Sequence, residues 1–453
     1  MRNSSIYRFT HRRTSLTLGL CLALPGLLSV ACREITSLKQ ENLGTLSTST
    51  LYVPANASLL FNGAIGDFEC AYNRYVTGTG LFTDELSTAI AQSADFDYDA
   101  RRLRTDAPYG TFNCASPVPS TSQIPGIYTP LSTARATTDT AAARLEGWTD
   151  AEVPNRAKLL GQAYAYAGYS LVLLGESMCS AAINLGPELT PAQVFAEAKA
   201  RFDNAIAAAT KAADATTLNL ARLGRARAEL DLGGAANLAA ASADAATIPA
   251  SFVVNTSPDA VKARRQNSVF FGISQNPWFT VDTSFRNVLV PGGTTQDPRV
   301  VVTNLGRNGS AGAGGTPLFL PAKDATVTTP IRLASYAEAQ LIIAENAAAT
   351  GDLAGAAAAV NRARATHPGL PVYVVPAGAT AADVKTQIIE ERRREFFVEG
   401  HRLGDLRRYS LPFLPAAGAP YSTGGGNYGA QTCLPLPDVE RINNPNIAKA
   451  SGS

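Results

Sequence analysis

Long alanine-rich segments with a helical spacing of apolar residues limit the folds open to this chain. Alanine accounts for about one residue in six, and 17% of the 453 residues are charged, below the roughly 25% that is usual for soluble domains. Residues 154–175 show the pattern most clearly, with apolar side chains three and four positions apart. Small alanine side chains let neighbouring helices approach closely, so the pattern predicts stacked helices.

Start and stop signals divide these segments into separate helices. Thr190-Pro191-Ala192-Gln193 has the composition of a capping box with proline at the first helical position. Residues 331–349 form one apolar face, Gly351 predicts a stop, and Asp352 can cap the helix that follows. The strict tetratricopeptide signature is missing. We therefore predict a mostly α protein, a tetratricopeptide-like helical-hairpin superhelix.

Three regions lack this helical pattern. Residues 250–330 combine frequent Pro, Gly, Asn and Thr with short apolar pieces, which predicts a loop-rich, short-strand insertion on one face of the scaffold. Residues 105–125 have no period and are interpreted as a loop. A shorter loop is predicted at Thr77-Gly78-Thr79-Gly80, within a helical region that spans 64–94.

The N-terminus has the pattern of a lipoprotein signal peptide. Four arginines precede an apolar run over 16–31, which is too short to be a convincing membrane span, and small residues lead into Cys32. Cys32 is therefore the predicted lipidation site, with ordinary cleavage by a general signal peptidase as the alternative. We divide the chain into a signal peptide (1–31), a lipidated N-terminus and tether (32–60), and one domain (61–453).

Removing the leader changes the formal net charge from +2 to −2, because it carries four arginines and no acid. A nearly neutral mature chain does not have the basic surface that nucleic-acid binding requires. The sequence has three histidines and no C-x-x-C motif, so neither a metal site nor a cofactor is predicted.

Four cysteines remain after the leader and Cys32 are set aside, and an even number in an exported chain favours two disulfides. Of the three pairings, proximity in sequence favours Cys70–Cys114 with Cys179–Cys433, and buried free thiols are the alternative.

Candidate ligand contacts are aromatic residues that have polar neighbours. Aromatic faces pack against sugar rings while Asn and Arg bind their hydroxyl groups. Trp278 lies in the insertion, Tyr72-Asn73-Arg74-Tyr75 is a compact polar-aromatic group, and Tyr109 lies in the proline-rich loop. For each of them, packing in the core is the competing interpretation.

The charged stretch 390–408 is interpreted as a structural ion-pair network and not as a catalytic site, because Glu390 with Arg394 and Glu391 with Arg394 fall at helical spacing for ion pairs. No catalytic residue is predicted, and the protein is not expected to be an enzyme. The predicted network consists of Glu391, Arg394, Glu395, Glu399, Arg402 and Asp405.

Several segments resemble one known family. Residues 331–345 form a helix of its characteristic type, and 391–408 read E-R-x-x-E-x-x-x-E-G-x-R-x-x-D-L-x-R. Residues 434–440 with Asn444-Pro445 are similar to the closing P-x-P-x-x-E…N-P, and Asp297-Pro298-Arg299 resembles a further element. These motifs resemble the SusD/RagB family of outer-membrane lipoproteins.

The resemblance implies a surface lipoprotein that captures a nutrient oligomer, an oligosaccharide or peptide, and passes it to a SusC-like TonB-dependent transporter. It implies an outer-membrane location facing the cell surface, with contact to the membrane through the lipid anchor only. The alternative is a helical-repeat scaffold that binds protein or peptide partners.

Overall fold

The computed structural model describes residues 48–91, 93–106, 114 and 126–448, most of them in helices. The helices, in chain order, are α1 (Thr48–Leu51), α2 (Ala57–Phe82), α3 (Ser93–Asp99), α4 (Tyr128–Glu146), α5 (Arg156–Ser177), α6 (Pro191–Lys211), α7 (Ala215–Leu232), α8 (Ala235–Ala245), α9 (Ser268–Phe270), α10 (Tyr336–Ala349), α11 (Leu353–Arg364), α12 (Ala381–Glu395), α13 (Arg402–Arg408) and α14 (Asp438–Asn443). The strands are β1 (Leu86–Thr88), β2 (Val253–Asn255), β3 (Phe279–Val281), β4 (Val302–Gly309), β5 (Thr316–Pro321) and β6 (Arg332–Ser335).

The large helices pack in a continuous series. Helix α4 lies between α2 and α5, and α6, α7, α8 and α10 follow in order, each against its predecessor. Helices α10, α11 and α12 enclose a second, smaller apolar cluster. The mostly α, tetratricopeptide-like fold predicted from the alanine-rich segments is confirmed.

Close packing within the series depends on Phe202 and two glycines. The Phe202 ring on α6 lies against Gly168 of α5 and Gly224 of α7, and a Cβ at Gly224 would stand 2.3 Å from a ring carbon. Tyr169 meets the same ring edge-on, with centroids 5.2 Å apart. Any larger residue at position 168 or 224 would push the helices apart.

Local signals place the start of α6 and the end of α10 where the sequence predicted them. The helix expected from residue 331 begins only at Tyr336, because Arg332–Ser335 form β6 and pair with β2. Thr190 and Gln193 form the expected capping box, since the Thr190 N–H donates to Gln193 Oε1 at 2.8 Å. Gly351 adopts a φ of 84° after α10, a conformation that glycine favours, and the Asp352 side chain caps α11.

The insertion leaves and rejoins the helical scaffold at one place. Strand β2 follows α8 and pairs antiparallel with β6, which leads into α10. Two more antiparallel pairs, β1 with β3 and β4 with β5, lie on the insertion face. Helices α8 and α10 can therefore be neighbours although about ninety residues separate them.

Two other predicted boundaries differ from the structure. The loop expected at Thr77–Gly80 is helical, because this segment packs closely in the core, where a Cβ at Gly80 would meet Leu86 at 2.9 Å. The hydroxyls of Thr77 and Thr79 donate to carbonyls four residues back within the helix. Helix α2 also begins inside the expected tether, and Ala57 and Leu60 are buried, so the compact unit starts before residue 61.

Both predicted disulfides are present, Cys70–Cys114 and Cys179–Cys433. The second joins the chain just after α5 to the C-terminal tail, and the Cys179 N–H also donates to the carbonyl of Leu434 at 2.8 Å. Cys32 and Tyr109 lie outside the described residues. None of the helices that the structure describes is long and apolar enough to span a membrane.

Candidate ligand-binding site

The structure contains a cavity of about 360 Å³, lined by both apolar and charged side chains, where the insertion meets the C-terminal helices. One wall comes from the insertion, one from the chain entering β6, and one from the turn that follows α12. The lining residues are Pro298, Arg299, Lys323, Asp324, Pro330, Ile331, Arg332, His367, Glu395, Val398 and Glu399.

Glu395, at the end of α12, is the fully buried acid of this cavity. Its carboxylate lies 2.9 Å from Arg332 Nη1 and 3.0 Å from His367 Nε2, with Arg299 at 4.0 Å. Burial would raise the pKa of Glu395, but the hydrogen bond from His367 and the charge of Arg332 outweigh it and lower this pKa. The group is therefore held as a carboxylate.

Glu399 joins the other two walls. It accepts from Lys323 Nζ at 2.6 Å and from Arg332 Nε at 2.8 Å. Arg332 also donates from Nη2 to the carbonyl of Glu395 at 2.7 Å. Arg332 thus ties both ends of the turn 395–399 to the start of β6.

An inner layer of ion pairs supports the cavity from behind. Arg299 binds Asp297 through Nε at 2.9 Å and Nη2 at 2.8 Å, and Glu391 through Nη1 at 2.7 Å. Arg364 pairs with the same Glu391. The Asp297-Pro298-Arg299 motif therefore links the insertion to α12.

All six members of the ion-pair network proposed from the sequence form ion pairs, but mostly with distant partners. Besides Glu391, Glu395 and Glu399, Arg394 pairs with Asp297 and Glu390, Arg402 with Asp84, and Asp405 with Arg392 and Arg408. The helical pair expected between Glu391 and Arg394 is absent, because Arg299 and Arg364 occupy the Glu391 carboxylate.

The polar-aromatic group on α2 lies in the core, which corrects its interpretation as a ligand-contact cluster. Tyr72 and Tyr75 are fully buried, and Asn73 is 3% exposed. The Tyr72 hydroxyl lies 2.6 Å and 2.9 Å from the carbonyl oxygens of Arg332 and Glu399. These residues act inside the protein, and Tyr72 fixes the backbone behind the cavity.

The remaining partners on α2 are also internal. Tyr75 donates to Glu176 Oε2 at 2.8 Å, and Asn73 accepts from the Ser268 N–H at 3.1 Å. Arg74 is half-buried, and burial lowers its pKa.

Trp278 is also packed, with 8% of its surface exposed. Its ring meets Phe271 edge-on at 5.3 Å, and its carbonyl accepts from the N–H groups of Ala89 and Ile90 at 2.8 Å and 3.1 Å. Trp278 therefore joins β3 to the chain that follows β1. Contact between Trp278 and a ligand stays a prediction, and the burial of its ring does not support it.

Four residues of the cavity were not predicted from the sequence as site residues. Lys323 and Asp324 were not considered, Arg332 was included only within the segment 331–345, and His367 was included only among the three histidines. The available signal was Arg332, a charged residue at the start of the apolar stretch 331–345. Among the described residues, no group of three or more His, Cys, Asp and Glu side chains is arranged to hold a metal ion.

Solved structures share this fold. A SusD superfamily protein from Bacteroides vulgatus matches with a TM-score of 0.65 and 15% identity, covering 88% of this chain and 99% of that one. A SusD superfamily protein from Parabacteroides distasonis matches with a TM-score of 0.63 and 13% identity, covering 90% of this chain and 100% of that one. Surface glycan-binding protein A from Bacteroides uniformis matches at 0.59 and 16%, covering 85% and 98%. Such likeness establishes the SusD superfamily fold.

The sequence comparison points to the same group. The sequence model of the SusD family matches residues 324–449, which include Asp324, Arg332, Glu395 and Glu399 of the cavity. No curated protein sequence matches the chain. The C-terminal quarter of the chain thus matches the SusD family by sequence, and the chain as a whole shares the fold of the SusD superfamily structures.

Proposed function

We propose that the protein captures oligosaccharides or related nutrient oligomers at the cell surface and delivers them to a SusC-like TonB-dependent transporter. The observation that carries the proposal is the fold, which this chain shares with surface glycan-binding protein A from Bacteroides uniformis. The cavity supports it, because a concave site with several hydrogen-bonding side chains suits a polyhydroxylated ligand.

The proposed role is binding without turnover. A glycoside hydrolase needs two carboxyl groups flanking a bond, one of them protonated. Glu395 and Glu399 instead accept hydrogen bonds from Arg332, His367 and Lys323. Burial would raise the pKa of Glu395, but His367 and Arg332 outweigh it and lower this pKa. Glu395 is therefore not the protonated carboxyl group that such a mechanism needs.

The binding test uses the full-length chain extracted in detergent. We expect saturable binding to at least one class of oligosaccharide on a glycan array, confirmed by calorimetry, and no change of the ligand on prolonged incubation. Release of shorter sugars would contradict the binding role. Binding to peptides alone would favour the scaffold alternative.

The anchoring and delivery steps need their own experiment. We expect the chain to be labelled by a fatty-acid probe, to fractionate with the outer membrane and to co-purify with a TonB-dependent transporter, whereas Cys32→Ala should lose the label and the membrane association. A Cys32→Ala chain that still fractionates with membranes would contradict the lipid anchor. Co-purification of other proteins without a transporter would contradict delivery.

A further inference from the structure

The charged side chains of the cavity are arranged in two layers. The cationic or donor groups in front are partly exposed: 32% for Lys323, 25% for His367 and 20% for Arg332. The acids behind them are buried, with 7% of the Glu399 side chain exposed and none of Glu395. Asp324 is 3% exposed. A ligand entering the cavity therefore meets the nitrogen-bearing groups first.

The accessible cationic groups also have hydrogen-bond donors that no protein acceptor uses. The Lys323 ammonium has three N–H groups and uses one on Glu399. Arg332 uses each of its three nitrogens once, on Glu395 or Glu399, so two of its five N–H groups remain. The cavity thus offers unused donors on accessible groups. Each carboxylate behind them already accepts at least one hydrogen bond, and the acceptor oxygens that have none, Asp324 Oδ2 and Glu395 Oε2, are buried.

Net charge does not produce this preference. Arg299, Lys323 and Arg332 balance Glu395, Glu399 and Asp324 in the lining. A short-range contact is decided by which groups face the ligand, because charges behind them are partly neutralised by their own partners. The accessible groups favour a ligand that supplies acceptors and negative charge.

The size of the cavity restricts which part of a ligand can enter it. Its volume of about 360 Å³ is near the lower limit for small-molecule sites, which hold one ring more readily than a chain. We propose that the cavity receives the carboxylate-bearing terminal sugar of an acidic oligosaccharide, with the carboxylate bound by Lys323 and Arg332. This inference rests on the proposed glycan-binding function and names its substrate class.

The test compares an acid with its neutral counterparts. The full-length chain in detergent is titrated by calorimetry with a disaccharide that ends in glucuronate, its methyl ester and the matching glucose disaccharide. We expect the free acid to bind about tenfold or more tightly than either neutral compound, the range for a charge-assisted hydrogen bond. Equal affinity for acid and ester would overturn the inference.

Two lysine variants show where the carboxylate binds. Lys323→Gln should weaken binding of the acid about tenfold and reduce the preference for the acid over the neutral disaccharide. Lys262→Gln is the matched control, because Lys262 is 68% exposed and its acid partner is 3.9 Å away. An unchanged affinity for the acid in Lys323→Gln would refute the role of Lys323.

A measurement on the unmodified chain covers the case of a poorly folded variant. Bound acid should protect Lys323, and not Lys262, from acetylation as followed by mass spectrometry. Equal acetylation with and without acid would overturn the inference. If neutral glycans bind as well as the acid, only the cavity inference fails; if no glycan binds, the proposed function fails with it.

Discussion

Glu85 is a buried carboxyl group that supports one wall of the cavity from inside the protein. It is 1% exposed, and its Oε1 accepts the Val398 N–H at 2.8 Å. Val398 has a φ of 49°, a conformation that β-branched residues rarely adopt, so this hydrogen bond helps to hold a disfavoured turn. Glu85→Gln keeps an oxygen acceptor for Val398 and removes the ionisable group.

The size of the effect follows from the pKa of Glu85. Burial raises this pKa from its ordinary value of 4.5 to about 8, although the Val398 hydrogen bond and the Arg402 charge act in the opposite direction. Between these two values the folded state keeps a proton that the unfolded chain releases, so the free energy of unfolding falls as pH rises. One unit of pKa shift corresponds to about 1.36 kcal/mol. The ionisation of Glu85 should therefore lower the free energy of unfolding by about 3 kcal/mol between pH 5 and pH 8.

The assay is urea unfolding of the wild type and Glu85→Gln at both pH values, followed by circular dichroism. Asp99, Asp324 and Glu338 also have pKa values raised by burial, so the wild type should lose additional stability through them. The difference between the free energies of unfolding of the two proteins is free of this shared contribution. We expect the variant to gain about 3 kcal/mol relative to the wild type on going from pH 5 to pH 8.

Glu197→Gln serves as the control, since 45% of the Glu197 side chain is exposed. It should differ from the wild type by the same amount at both pH values. If Glu85→Gln also shows the same difference at pH 5 and pH 8, the carboxyl does not hold a proton in the folded state. The reasoning from burial would then be refuted.

Three further predictions concern the scaffold. Gly224→Ala should lower the free energy of unfolding by about 1–3 kcal/mol or more in urea, because its Cβ would overlap Phe202, whereas Gly63→Ala, with no atom within 4 Å, should be neutral or stabilising; equal effects would contradict the packing. Replacing both Cys179 and Cys433 with Ser should lower the free energy of unfolding by about 5–6 kcal/mol through chain entropy, since 254 positions separate them, and an unchanged Tm would contradict this. Thr190→Ala should cost about 1 kcal/mol in urea through loss of the α6 cap, and no change would show that the cap is not used.

The features predicted correctly from the sequence are those with local causes. A capping box acts within four residues, and the Thr190 cap and the Gly351 stop were both found as expected. The disulfide pairing was also correct, with sequence proximity as its only argument. The loop predicted at Thr77–Gly80 was wrong, because glycine is a local signal for a turn. Gly80 is instead part of α2, where its lack of a side chain allows close contact with Leu86.

The ion pairs show the opposite case. Helical spacing correctly indicated that Glu390 could meet Arg394, which lies 2.7 Å away on the same helix. The same rule misplaced Glu391, because its partners Arg299 and Arg364 come from the insertion and from α11. Periodicity describes neighbours along a helix and contains no information on distant segments that pack against it.

Tyr72 shows why composition alone misassigned the ligand contacts. Tyrosine combines an apolar ring with a hydroxyl, and both a sugar site and a core with internal hydrogen bonds use that combination. The two are distinguished by where the hydroxyl finds its partner, and for Tyr72 the acceptors are the carbonyls of Arg332 and Glu399. Both residues line the cavity, so Tyr72 can influence ligand binding by holding their backbone in place without touching the ligand.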